Sequence, residues 1–196
     1  MPDNPEKQPS DEVDLNQIQQ SRTEGEAYQT SVSYMANTVA NDGGTTEAGD
    51  YILGYAQEEA EPMYTLAGEG EFELDEPDDE NCHLEVVVAD RGDKRFVPYC
   101  DVSATLERDV AEQSSAGNQT QSGDGEEYGP FELDFLWHPG VYHYGSNVEV
   151  PEGGTYDMHV TVEPPEFHRH DEQNGDRYGE TVEVTFEEID VETGQD

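Results

Sequence analysis

The chain has 196 residues, and 48 Asp and Glu against 8 Lys and Arg give it a formal charge of −40. That length sets one ordinary domain with tails or two small ones. The charge excludes nucleic acid and anionic lipid surfaces as partners, because there is no basic footprint for either, and no run reaches the ~18–20 apolar residues of a membrane-spanning helix.

Residues 1–48 read as a disordered acidic leader: Glu, Gln, Asn, Ser, Thr and Gly without a sustained period. Asp11 to Gln20 supports a helical turn or two, capped by Ser10 or Asp11. The segment shows no basic n-region, apolar h-region or twin arginine, so no signal peptide is expected in it. Of the 34 Val, Ile, Leu and Phe residues, 29 lie from Tyr51 onward, where many alternate. The period of two marks strands at Tyr51–Ala56, Met63–Leu66, Glu71–Leu74, His83–Ala89, Arg95–Leu106, Phe131–Trp137, Thr155–Glu163 and Thr181–Ile189. Three inward rows follow: Phe131, Leu133, Phe135 and Trp137; Tyr156, Met158, Val160 and Val162; and Val182, Val184 and Phe186. Ala111–Gly129 reads as a long polar loop carrying the glycosylation triplet Asn118-Gln119-Thr120. Short antiparallel strands over residues 49–193 imply an all-β fold, an immunoglobulin-like β-sandwich, with a closed barrel as the alternative. Cys82 and Cys100 flank the Asp90–Asp93 turn and are either bridged or two half-buried thiols.

Carboxylates occupy the polar phase of almost every apolar alternation, whereas an acidic tail would confine them to one block. Lys occurs only at positions 7 and 94. Such a spread suits a halophilic protein in multimolar salt, where the Debye length is ~3 Å or less and self-repulsion is screened. The acidity then answers to solvent and says nothing of a ligand.

The six histidines, at 83, 138, 143, 159, 168 and 170, all lie outside the leader. On a strand, His83 and Glu85 project from one face, which is half of a divalent-metal site; a surface His beside a solvated Glu fits the same pattern. His143 lies in Pro139-Gly140-Val141-Tyr142-His143-Tyr144-Gly145-Ser146-Asn147, a turn leading into a strand. His168 and His170 flank Arg169 after Pro164-Pro165, spaced either to chelate an ion or to sit in a plain exposed loop. His159 falls on the outward phase of its strand.

Together, His83-Leu84-Glu85, Phe96-Val97-Pro98-Tyr99, His143-Tyr144-Gly145-Ser146-Asn147 and the run from Tyr156 through Glu163-Pro164-Pro165 to His168-Arg169-His170 resemble the periplasmic ferrous-iron transport family, copper-binding accessories of iron uptake. The resemblance spans Cys82 to Val191. It implies an immunoglobulin-like sandwich, a homodimer with its metal site near the subunit interface, an extracytoplasmic location and a membrane iron permease as partner. It also implies His83, Glu85, His143 and His170 as ligands of copper or iron, with manganese or zinc also suited, and His168 as a further ligand. Leu136 stands where that family places a methionine ligand, which removes the soft donor that Cu(I) prefers; His138 or Met63 would be the substitute.

The function expected is therefore a non-catalytic metal-binding protein, whose affinity falls on acidification as imidazoles protonate. An exported structural or adhesive sandwich without a metal site is the alternative. No Gly-x-Ser-x-Gly elbow, His-Glu-x-x-His helix or phosphate loop is present, so no enzyme is expected.

Overall fold

The computed structural model describes residues 7–108, 125–170 and 176–195. Most of the Ala111–Gly129 stretch, with the Asn118 triplet, lies outside the described residues.

Where a disordered leader is expected, the chain forms α1 (Leu15–Tyr34), a π-helical turn (Met35–Val39) and a first strand, β1 (Asp42–Ala48). The cause is local. Asp14 caps the helix, accepting from the Asn16 and Gln17 N–H groups at 2.8 and 3.0 Å, while its own N–H donates to Gln17 Oε1 at 2.8 Å. This reciprocal box satisfies donors that a helix start leaves orphaned. Ile18, Gly25 and Val32, spaced by seven, form the buried stripe. Gly25 is required by close approach, since a Cβ there would lie 1.7 Å from the Asp93 carbonyl oxygen. Ahead of the helix, Lys7 reaches Asp93 at 2.5 Å and Asp90 at 3.5 Å. Arg177 meets Asp90 at 2.5 Å, and Arg95 meets Asp93 at 3.0 Å.

The strands run antiparallel in one eight-membered sheet. β1 pairs with β2 (Tyr51–Glu58), which turns through a separate hairpin, β3 (Met63–Gly68) and β4 (Glu71–Asp75), to its sheet neighbour β5 (Cys82–Asp90). β6 (Val102–Arg108) pairs with the first half of β7 (Glu126–His138). The second half of β7 pairs with β8 (Val141–Val148), which lies against β5. β9 (Gly154–Val162) joins β6, and β10 (Val182–Val191) joins β9. The two outermost strands meet at Asp42, whose Oδ2 accepts from the Asp190 N–H at 2.8 Å and from the Tyr55 hydroxyl at 3.0 Å. The expected β-rich body is present: among the described residues it is a curled, nearly closed eight-stranded sheet with the separate β3–β4 hairpin and one α-helix laid against it.

The alternation of β9 is realised: Tyr156, Met158, Val160 and Val162 are all buried. In β10 Phe186 is buried, with Val182 and Val184 half-buried beside it. The row on β7 differs from expectation, since only Leu133 is buried, while Phe135 and Trp137 are 53% and 67% exposed. After Leu133 the strand leaves β6 for β8, so its apolar phase continues past the layer that would cover it. Arg95–Leu106 is likewise not one strand. Its first half is an irregular crossing held by Tyr144, whose hydroxyl donates to the Val97 carbonyl at 2.9 Å and accepts from the Cys100 N–H at 3.1 Å. Cys82 and Cys100 are free and buried, and burial pushes both thiols up to about 11.

β5 is buried along its whole length. Leu84, Val86 and Val88 enter the main core with Tyr51, Leu53 and the β9 row. The opposite phase, Val87 and Ala89, packs with Val32 and Met35 at the end of α1 and with Val141 of β8. Each such side chain contributes ~1.5–3 kcal/mol when fully covered. His83 and Glu85 share the phase of Val87 and Ala89, so they lie on the face that the helix partly roofs.

Candidate metal centre

His83, Glu85 and His143 come from adjacent strands, with Glu85 opposite Gly145 and His83 opposite Asn147 across the β5–β8 ladder. Alternation puts His143, Gly145 and Asn147 on one face of β8, against His83 and Glu85 on β5. Each of the three side chains offers a ligand atom within 4.8 Å of the others. His143 Nε2 lies 3.0 Å from Glu85 Oε1, and His83 Nε2 lies 3.7 Å from the same oxygen. All three residues are buried, with His83 at 0% exposure.

Among the described residues, His83 Nε2, Glu85 Oε2 and His143 Nδ1 have no hydrogen-bond partner. Buried polar atoms are ordinarily paired, because desolvating one without compensation costs ~1–3 kcal/mol. Three orphans in one group is what the protein atoms of a cation site show. Gly145 keeps the space open: a Cβ there would come within 3.2 Å of His83 Nε2 and 3.0 Å of both Leu136 Cδ1 and the Leu84 carbonyl oxygen. The donor set of two imidazoles and one carboxylate fits Cu(II), Zn(II), Fe(II) or Mn(II) better than Cu(I). Leu136 of β7 is paired with His143 of β8, and its isobutyl group flanks the same space without offering a donor.

The helix packs on the same face of the sheet, where Val32 joins Val87, Ala89 and Val141. The half-buried Tyr28 of α1 donates its hydroxyl to the Tyr142 carbonyl at 2.5 Å. Burial, then Tyr144 and the Glu85 carboxylate, push the Tyr28 phenol far above its ordinary value. A helix from a segment read as a disordered leader is thus tied to β8, the strand that carries His143. The signal was present in Ile18, Gly25 and Val32, but three residues in fifteen is too sparse a stripe, and Gly25 reads as a breaker.

The other sequence candidates lie apart from this group. His170 is exposed, its side chain 83% accessible, and pairs with Glu12 at 3.4 Å. His168 and His138 are exposed as well. Met63, half-buried at the start of β3, is not a member of the trio. His159 lies outward as expected, held by Thr185 at 2.9 Å and Glu107 at 3.0 Å. Sequence reasoning gave no role to Asn147, whose Oδ1 lies 2.8 Å from His83 Nδ1.

The fold and this trio define a mostly-β protein with a buried two-histidine, one-glutamate group suited to a metal ion. No protein-family model matches the chain, and no curated protein matches it in sequence. Among solved structures it is similar to FetP of uropathogenic E. coli strain F11, in the form isolated after periplasmic expression. The TM-score is 0.53 and the identity 20%, over 76% of this chain and 93% of that one. A copper-bound glutamate-to-glutamine variant of FetP matches with a TM-score of 0.52 and 20% identity, over 76% of this chain and 95% of that one. At this identity the likeness is one of fold.

Proposed function

We propose that the protein is a non-catalytic carrier of a divalent metal, copper first and iron next, and that it serves iron uptake outside the cytoplasm. The observation that carries this reading is the convergence of three buried donor residues, each with an unpartnered polar atom. A buried carboxylate with only two imidazoles beside it is costly to keep charged, and a divalent ion offsets that cost while taking up the imidazole lone pairs. The copper bound by the FetP variant, a protein of similar fold, supports copper as the first ion to test. The reading carries with it an immunoglobulin-like sandwich whose two leaves share β7. It also carries a homodimer in which the exposed His168 and His170 are available to a second copy, and a membrane iron permease as recipient.

Titration of ion-free protein, purified in high salt, with Cu(II), Fe(II), Mn(II) and Zn(II) tests the proposal. One ion per chain is expected, bound with an affinity that His143→Ala lowers by at least ~100-fold. Equal binding by the variant would remove the reading. A second reading, an exported adhesive domain, is favoured by the β3–β4 hairpin. Tyr64, Leu66, Phe72 and Leu74 share one of its faces by register and are all exposed. Failure of every ion to bind would leave that reading in place.

A further inference from the structure

We infer that Asn147 is the positioning residue of the centre, holding His83 in the one neutral tautomer that presents a lone pair to an ion; this rests on the reading of the trio as a metal site. The orientation of the Asn147 amide is set by a third residue. Its Nδ2 donates to the Glu61 carbonyl at 2.8 Å, and its Oδ1 accepts from the Glu61 N–H at 3.3 Å. Turning the amide over would set oxygen against carbonyl and NH2 against N–H, so both bonds would be lost. With the amide so fixed, oxygen is the atom that faces His83 Nδ1 at 2.8 Å.

An acceptor at that distance requires a proton on Nδ1. Neutral imidazole carries one ring proton, so Nε2 is left as a bare lone pair. Nε2 is the buried, unpartnered atom that faces Glu85. The opposite tautomer would place two lone pairs together at Asn147 and aim an N–H into the space that an ion needs. Fixing a ligand's tautomer through its other nitrogen is the ordinary task of a residue behind a metal site. Here the task falls to the β8 residue directly opposite His83 in the ladder, itself clamped by the backbone two residues before β3.

The test uses the full chain in high salt. Ring 15N shifts of ion-free protein are expected to show His83 protonated at Nδ1. Asn147→Leu, and the smaller Asn147→Ser if the first does not fold, should shift His83 toward the Nε2–H form or a mixture. Each should also weaken Cu(II) binding by ~10–100-fold. Asn147→Asp, which still accepts from Nδ1–H, should restore the tautomer. Unchanged His83 ring shifts in the Leu or Ser variant, or unchanged Cu(II) affinity with the parent binding normally, would overturn the inference. If the parent binds no ion, the metal reading fails, and the ring shifts still decide whether Asn147 sets the tautomer.

Discussion

Each donor of the trio has a separable consequence. Glu85→Gln keeps the shape and removes the charge, so Cu(II) affinity measured by competition with a chelator should fall by at least about tenfold, with the fold intact by circular dichroism. Leu136→Met places a thioether beside the same space, so Cu(I) affinity should rise relative to Cu(II), read as an increase in the reduction potential of the bound copper. The His-x-Glu pair was legible because a strand sends alternate residues to one face. Whether that face meets water or other protein was not, since the helix that covers its Val87–Ala89 end arrives from about 50 residues upstream. His143 was legible as a candidate in a turn leading into a strand, but where that strand begins was not, because Pro139-Gly140 and the surrounding tyrosines extend the look of a turn past Val141. His168 and His170 have the spacing of a chelating pair, and within one chain they lie on an exposed extended segment apart from the trio.

At the level of elements, docking of α1 depends on a backbone approach that no side chain at position 25 permits. Gly25→Val should detach the helix and expose Val87 and Ala89, lowering the unfolding free energy by ~1–3 kcal/mol in denaturant titrations in high salt. The ion-paired corner behind the helix adds a dependence on pH. Burial alone would raise Asp93, but hydrogen bonds and charge from Lys7, with Arg95, outweigh it and hold the carboxyl below its ordinary value. A depressed carboxyl contributes stability that is present above its unfolded value and lost as pH falls through the folded one. Lys7→Ala should therefore lower stability at neutral pH, while parent and variant converge at strongly acid pH in thermal melts. The helix itself was hardly legible, since its low hydrophobicity hides behind Gln, Ser and Thr and its stability comes from a cap and one narrow stripe. The β9 row was plain in the sequence because its apolar phase is covered along its whole length. The β7 row misled, because Phe135 and Trp137 keep the phase of Leu133 after the covering layer has ended.

For the whole molecule, a charge of −40 makes self-repulsion the dominant electrostatic term in dilute buffer. The melting temperature should climb steeply as KCl is raised from millimolar to molar, and a flat profile would contradict a halophilic origin for the acidity. The charge itself is plain from composition, while the continuity of the sheet was hidden, since the sharing of β7 between β6 and β8 is a matter of pairing rather than of pattern. Lys7, Arg95 and Arg177 are three of only eight cations in the chain, and all converge on Asp90 and Asp93. Salt screens such a largely buried knot only weakly, so dilution leaves its attraction intact while it frees repulsion everywhere else. Moved from brine to fresh water, the protein would therefore come apart from its rim inward. The last remnant would be the N-terminal arm still fastened to the strand that bears His83 and Glu85, and a bound ion would leave late in the collapse.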